Sequence, residues 1–467
     1  MGATTPGSAE GRSRSPRRAP VRMAHLGLGA FHRSHQAWYT HAANEASGGS
    51  PWGIAAFTGR SAAAARILAA QDCRYTLLVR GPDRDDAVPV GSIVRAHDGA
   101  DAPTWRSVLA TPGTGVVTLT VTEAGYRRAP DGHLALDAPA VRADVELLSR
   151  TLGGSLTPAG PVTAPGRLLD GLGARRAAGA GPIAVVSCDN LPGNGAVVRT
   201  VVHELARLVD PDLAAWIDQQ VSFVSSVVDR ITPATTLEDL RIVRGLVGWD
   251  DRAAVVAEPY REWILSGPFP GGRPAWELAG AGFVDDLRPY EQRKLWLLNA
   301  GHSLLAYAGL PAGDATIAGA FADPALRRRV EELWAEAREV LRMDADDVDA
   351  FLAALRARWA NRRIEHHLAQ IAADGFHKLP VRVLDVAAAR ARAGLPPGTA
   401  GPFVVAAWIR WLLERDGAST GDPGARPLVR RIAGRPPAEQ AREAVAALRP
   451  DLPDGAAYAA AVAGHLA

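Results

Sequence analysis

Three short, uncharged and largely apolar runs constrain this chain most: Val116-Val117-Thr118-Leu119-Thr120-Val121, Ile183-Ala184-Val185-Val186-Ser187 and residues 223–228. Strands without polar alternation are buried on both faces, which requires a layer on either side. Helical stretches separate them, as over residues 195–209. Two earlier runs, Val21-Arg22-Met23-Ala24-His25-Leu26 and Ile54-Ala55-Ala56-Phe57, flank a helical stretch over residues 30–43. This alternation predicts an α/β fold on a doubly wound parallel sheet. The pattern stops near Pro289. Segments 291–309, 324–343, 346–373, 402–415 and 436–448 carry helical spacing with no strand among them. The expectation is a sheet domain over residues 21–289 and a mostly helical, all-α domain over residues 290–467. Residues 153–181, rich in Gly, Pro and Ala, read as an exposed insertion. Residues 1–20 are polar and basic without an apolar core, so they read as a disordered leader and not a signal peptide.

Charge and cysteine usage exclude several classes. The net charge is +2, and Arg12, Arg14, Arg17 and Arg18 of the leader face only Glu10. The rest is close to neutral, which argues against a nucleic-acid partner. No run approaches the length of a membrane span. Two cysteines, Cys73 and Cys188, are too few for a disulfide framework or a cysteine-rich zinc site, and a cytoplasmic setting is expected. A small-molecule substrate and a monomer or small homo-oligomer fit these bounds.

The cations are lopsided. Of 52 basic residues, all but Lys294 and Lys378 are arginine. Arginine cannot lose its proton in a protein, whereas a buried lysine becomes neutral and acts as a base. Lys294 opens the segment Lys294-Leu295-Trp296-Leu297-Leu298-Asn299-Ala300-Gly301-His302. On an α-helix Asn299 lies about 140° and His302 about 80° round from Lys294, over roughly 12 Å of axis. Trp296 and Leu298 would desolvate the amine, and an amide beside it would stabilise a developing alkoxide. A partly buried helix with polar residues bonded to nearby loops is the plainer alternative. Tyr290 and Lys294 share the Tyr-x-x-x-Lys spacing of short-chain dehydrogenases, but they lie too far from the glycine turn, and we treat the match as coincidence.

Two further places suit a ligand. Gly27-Leu28-Gly29 follows a strand and opens a helix, where a dinucleotide pyrophosphate would rest on backbone amides. The usual third glycine is replaced by His32, and the turn alone also suits any strand-to-helix junction. Arg33 is placed to reach a phosphate from the first helical turn. The second strand ends Thr58-Gly59-Arg60-Ser61 with no acid for a ribose, so Arg60 leaves NADP open beside NAD. The strand end Cys188-Asp189-Asn190-Leu191-Pro192-Gly193-Asn194-Gly195 offers a polar site, with Asn190 for chemistry and Asn194 as a helix cap. His366 and His367 are adjacent and diverge on a helix, so no metal is expected.

These segments resemble the polyol-specific long-chain dehydrogenases, the family of mannitol 2-dehydrogenase and fructuronate reductase. The resemblance runs from His25 through Gln36 and continues at Trp52-Gly53-Ile54, Gln71-Asp72 and Tyr75-Thr76-Leu77. It extends over Val121-Thr122-Glu123-Ala124-Gly125-Tyr126, residues 187–195, Val228-Asp229-Arg230-Ile231-Thr232-Pro233, Glu258-Pro259-Tyr260 and the Lys294 helix. It implies a Rossmann-type domain followed by a helical one. The implied reaction is metal-independent hydride transfer between NAD(P) and a secondary alcohol of an open-chain polyol or sugar acid. Mannitol and fructose are the favoured pair, with fructuronate or tagaturonate reduction as alternatives. The resemblance makes Lys294 the base, Asn190 and Asn299 the oxyanion pair, and His302 a substrate-positioning group. Asp229 and Lys378 line the substrate pocket, and Glu291 opens a proton path. Gly27, Leu28, Gly29, Ala30, Phe31, His32, Arg33, Arg60, Thr122 and Glu123 are the expected cofactor residues. The chain departs from the family pattern at Gln370, Phe376 and His377, within the substrate pocket. A sugar-acid carboxylate would need a cation, for which Lys378, Arg363 and Arg382 are available. A catalytically silent nucleotide-binding scaffold is the reading from another class; intact Lys294, Asn299, His302 and Asn190 speak against it.

Overall fold

The computed structural model describes residues 18–152, 159–415 and 421–467. Among these residues eleven strands form two sheets. In chain order the strands are β1 (Val21–Leu26), β2 (Gly53–Phe57), β3 (Tyr75–Arg80), β4 (Asp85–Val90), β5 (Ile93–His97) and β6 (Val116–Leu119). They continue with β7 (Ile183–Ser187), β8 (Val221–Asp229), β9 (Val255–Ala257), β10 (Glu262–Ser266) and β11 (Gly282–Phe283). The larger sheet runs β5-β2-β1-β6-β7-β8-β10-β11. Its strands pair parallel except where β10 meets β8. The chain winds outward from β1 to β2 and β5, then returns to the other side of β1 with β6. That reversal is the switch point of a Rossmann-type sheet, and ligands bind beyond the carboxyl ends of such strands.

Burial explains why these runs fold this way. Every residue of β2, β6 and β7 is buried. Neighbouring residues serve opposite cores: Ala55 and Val185 pack with Leu26 and Leu205, while Ala56 and Val186 pack with Met23 and Trp263. β10 instead alternates, with Trp263 and Leu265 buried between partly exposed Glu262, Ile264 and Ser266. The helix Asn194–Val209 buries Val198, Val201, Val202 and Leu205, a stripe of helical period.

From Arg288 onward the described chain is helical. At its centre lies the helix Ala300–Gly309, buried along nearly its whole length, with Trp334, Trp359 and Trp408 around it at 0–1% exposure. A helix apolar on all sides needs such a jacket. Its N-terminal extension carries the Lys294 segment to the edge of the sheet.

Several expectations change. The stretch over residues 30–43 is two helices, Ala30–Ser34 and Gln36–Ser47, broken at His35, whose Nε2 lies 2.9 Å from the Glu262 carbonyl. Residues 346–373 are not one helix: Ala345–Ala360 ends at extended Asn361, and Leu368–Ala372 follows. Much of the supposed insertion is packed, since the helix Ala164–Ala177 buries Leu168, Leu169, Leu172 and Arg175; residues 153–158 lie outside the described residues. The leader falls outside them up to residue 17, and Arg18 pairs with Asp72 at 2.6 Å. The small β4-β3-β9 sheet has no counterpart among the sequence expectations. Its edge strand β4 holds two aspartates and Pro89, residues that disguise a strand but are tolerated at an edge.

Candidate active site

Four neighbouring strands deliver the first wall. Gly27 after β1 has φ +112°, and a Cβ there would stand 2.0 Å from the Thr120 carbonyl oxygen, so only glycine fits. Its amide and that of Leu28 both donate to the Phe57 carbonyl at 2.9 Å, closing the turn onto β2. A cavity of about 670 Å³ opens in front, lined by Gly27, Gly29, Ala30, Phe31 and His32, by Thr120, Thr122 and Glu123 after β6, by Asn190 after β7 and by Asp229 at the end of β8. Thr122 takes φ +69° and ψ 160°, a conformation that costs a non-glycine residue about 1–3 kcal/mol. Asp189 holds it there, accepting from the amides of Val121 (3.1 Å) and Thr122 (2.8 Å) and from the Tyr126 hydroxyl (2.5 Å).

A nicotinamide dinucleotide fits this wall. The glycine turn leaves room for close backbone approach. Behind it the rings of His25 and His32 stack at 3.3 Å, fully buried. His25 is held between Thr118 (2.8 Å) and Thr120 (3.1 Å). Both ring nitrogens of His32 lack a hydrogen-bond partner among the described residues although His32 lines the cavity. Burial drives both imidazoles down, His25 to about 3, so both are neutral. A buried polar atom without a partner is rare in a native structure, and a bound cofactor amide or phosphate would supply one.

The Lys294 segment differs from the expected α-helix. Lys294–Asn299 is a π-helical turn between the helices Arg288–Arg293 and Ala300–Gly309. Its i→i+5 bonding stacks residues five apart, so Lys294 and Asn299 share a face instead of diverging. Lys294 Nζ donates to Asn190 Oδ1 (2.5 Å) and to the Val228 carbonyl (2.7 Å). A neutral amine has two N–H bonds and one lone pair, so in that form these two acceptors would take both donors and leave the lone pair. Burial pulls the amine below its ordinary value, against the opposing pull of Asp229 and Glu262. Because Asn190 Oδ1 accepts from lysine, its Nδ2 is free to donate outward.

The helical wall is ordered by one arginine. Arg358 binds Asp229 (2.6 and 3.1 Å) and Glu258 (2.9 and 2.7 Å) through both ends of its guanidinium. All three are buried. Burial raises the Glu258 carboxyl; at Asp229 burial is outweighed by Arg358, which holds that carboxyl below its usual range. One residue on, the Trp359 indole donates to His302 Nε2 at 3.1 Å. A second π-turn, Pro380–Leu384, brings Arg382 to Ser303 Oγ (3.1 Å) and the Asn299 carbonyl (3.4 Å). Lys378 Nζ donates to the Ala373 carbonyl (2.7 Å). A second cavity of about 710 Å³ meets the first at Asn190, Lys294, Asn299, Lys378 and Arg382 and extends past Glu291 and His377. Glu291 Oε1 accepts from the Gly193 amide at 2.7 Å.

The structure therefore gathers Asn190, Asp229, Lys294, Asn299, His302 and Lys378 round one cavity, with Glu291 in its neighbour. Three expected cofactor residues line neither cavity. Leu28 is buried in the core. Arg33 does not reach toward a phosphate: its guanidinium is bonded to the carbonyls of Ala253 and Gly29, the latter at 3.2 Å. Arg60 is exposed past β2 and lines neither cavity. Asn194 is not the cap of its helix, whose N-cap is Gly193. Its amide instead ties Asp189 to Ser226, at 2.8–2.9 Å. Arg363 turns from the cleft to Asp85 (2.9 Å) and the Gly81 carbonyl (3.0 Å). Of the departures, Gln370 lines the first cavity and His377 the second. Arg358 and Trp359 escaped the sequence reading because an arginine among fifty carries no signal and a helical tryptophan reads as core.

Comparison with known proteins identifies the family to which both domains belong. The model of the mannitol dehydrogenase Rossmann domain matches residues 21–278, and that of the mannitol dehydrogenase C-terminal domain matches residues 286–466. D-mannonate oxidoreductase of Escherichia coli (strain K12) is 38% identical over 79% of this chain and 75% of its own length. Mannitol 2-dehydrogenase of Cereibacter sphaeroides is 34% identical over 77% of this chain and 74% of its own. Among solved structures, the ternary complex of Pseudomonas fluorescens mannitol 2-dehydrogenase with NAD and D-mannitol superposes with a TM-score of 0.79 at 31% identity, covering 96% of this chain and 91% of that one.

Proposed function

The chain belongs to the mannitol dehydrogenase family, and on that premise we propose that it catalyses reversible, metal-independent hydride transfer between NAD and a secondary alcohol of an open-chain polyol, with mannitol and fructose as the first substrate pair. The observation that carries this reading is the buried Lys294 amine, which lines the cavity in front of the glycine turn with two acceptors, Asn190 Oδ1 and the Val228 carbonyl, so that its neutral form would keep a lone pair for substrate. Bound NAD supplies the hydride acceptor or donor. In oxidation Lys294 takes the hydroxyl proton. Asn190 Nδ2 and the Asn299 amide stabilise the charge that develops on that oxygen, an effect worth about 10²–10³-fold per donor in comparable sites. In reduction Lys294 returns the proton to the same oxygen. Glu291, held by the Gly193 amide in the adjoining cavity, relays protons between Lys294 and solvent.

One observation favours a second substrate class. Lys378 and Arg382 face both cavities with no carboxylate in ion-pair contact among the described residues. Burial pushes the Arg382 guanidinium down to about 10, the mark of a cation short of neutralising partners. A sugar-acid carboxylate, as in fructuronate or tagaturonate, would neutralise them. Oxidation of NADH and NADPH in the presence of fructose, fructuronate and tagaturonate tests both readings. Turnover of fructose supports the polyol reading, and turnover of a keto-acid alone supports the second. Turnover of none leaves a silent nucleotide-binding scaffold. Use of NADPH would keep NADP open beside NAD, and loss of that use in Arg60→Ala would assign Arg60 to a 2′-phosphate. We place the protein in the cytoplasm, acting as a monomer or small homo-oligomer on small molecules; its two cysteines are buried and free, and among the described residues no helix is long and apolar enough to cross a membrane.

A further inference from the structure

His302 has two ring nitrogens, and only one can carry the proton in a neutral imidazole. The Trp359 indole decides which. An indole N–H donates and never accepts, so at 3.1 Å the facing Nε2 of His302 is the bare nitrogen. The rings lie 5.2 Å apart at 33°. Gly301 makes this approach possible, because a Cβ there would stand 2.5 Å from the tip of the Trp359 ring. Phe321 and Trp334 pack on the indole at 5.3 Å each, and the Trp334 N–H is fixed on the Leu297 carbonyl at 3.0 Å. Trp359 is 1% exposed, so it has no other place to point. His302 itself lines the substrate cavity, with the His366 ring edge-on at 4.8 Å.

We infer that Trp359 is a positioning residue that fixes His302 as the Nδ1–H tautomer, making it an obligatory hydrogen-bond donor to a substrate oxygen next to the reacting carbon. Burial among cations keeps the imidazole neutral, so it does not escape the constraint by taking a second proton. A donor held in one place favours substrates that present a lone pair there, and it leaves proton transfer to Lys294. The inference rests on the proposed function for the identity of the substrate, but the tautomer does not.

Nitrogen NMR of ¹⁵N-histidine-labelled enzyme, with His302 assigned among the 12 histidines by substitution, reads the tautomer directly in the absence of sugar. The expected spectrum has a protonated Nδ1 and a bare Nε2. In Trp359→Phe, which keeps an aromatic ring and loses the donor, that signature is lost and kcat/KM falls about tenfold with NADH affinity unchanged, the size of one hydrogen bond. His302→Asn, whose amide sits near the Nδ1 position, retains more activity than His302→Gln. A protonated Nε2 in the unaltered enzyme overturns the inference even if Trp359→Phe fails to fold. So does a Trp359→Phe enzyme with unchanged tautomer and unchanged kinetics. A spectrum with Nδ1 protonated in an enzyme that turns over no sugar leaves the tautomer assignment standing and removes the proposed activity instead.

Discussion

The two lysines of this chain occupy neighbouring positions in one cleft and are held in different ways. Lys294 leaves a π-turn at the sheet's carboxyl edge and spends both of its neutral-state donors on Asn190 and Val228. Lys378 sits on the five-residue helix Gly375–Leu379 and makes one bond, to the Ala373 carbonyl. Burial lowers both ammonium groups. Only Lys294 has a lone pair with a geometric purpose. A positive charge would serve at Lys378 whatever its source, whereas at Lys294 a permanent charge would be useless. Composition marks the two lysines alike; their different geometry is what supports the proposed roles, a base at Lys294 and a binding group at Lys378.

Exchanging each lysine for arginine is the sharpest way to break that comparison. Lys294→Arg keeps the charge and cannot act as a base; turnover should fall about 10³-fold or more with NADH binding retained, measured by steady-state rates and fluorescence titration. A retained rate would erase the distinction between the two sites. Next in size is Arg358→Met. It leaves Asp229 and Glu258 buried without their counter-ion, at a cost of about 3–5 kcal/mol of stability in denaturant unfolding. It also removes a positive neighbour that lowers Lys294, so the amine's pKa should rise.

The pH dependence has a definite sign. With Lys294 as the proposed base, oxidation needs its neutral form, and the rate should rise with pH through a pKa below the ordinary lysine value. Reduction needs the ammonium and declines over the same interval. Arg358→Met should move both limbs to higher pH. At the small end, Lys378→Ala should raise KM about tenfold, the worth of one charged hydrogen bond, with kcat little changed. Lys378→Arg should lie within about threefold of the unaltered enzyme. An Lys378→Arg enzyme as damaged as Lys294→Arg would mean that both amines do chemistry.

Much of this was legible in the sequence. The strands β6 and β7 announced themselves as apolar runs because they are buried on both faces. The Lys294, Asn299 and His302 constellation was visible as polar residues on an apolar helix. The helix type was not: a π-turn has no residue code, and this one lies against the second π-turn, whose Arg382 reaches the Asn299 carbonyl. The contact Arg33 makes was not legible: its position suits a phosphate, while its guanidinium is bonded to the Ala253 carbonyl, 220 residues away in sequence. Glu258 stood inside a recognised motif, yet its role as a clamp for Arg358 depends on a contact 100 residues away in sequence. Long-range ion pairs of this kind leave no local pattern.

The most direct test of the central claim is amine rescue of Lys294→Ala. If Lys294 is the neutral base, the variant binds NADH normally, loses turnover, and regains part of it when methylamine or a similar small primary amine is added. The regained rate should depend on the pKa of the added amine. A Lys294→Ala enzyme that turns over near the unaltered rate without added amine would contradict the account.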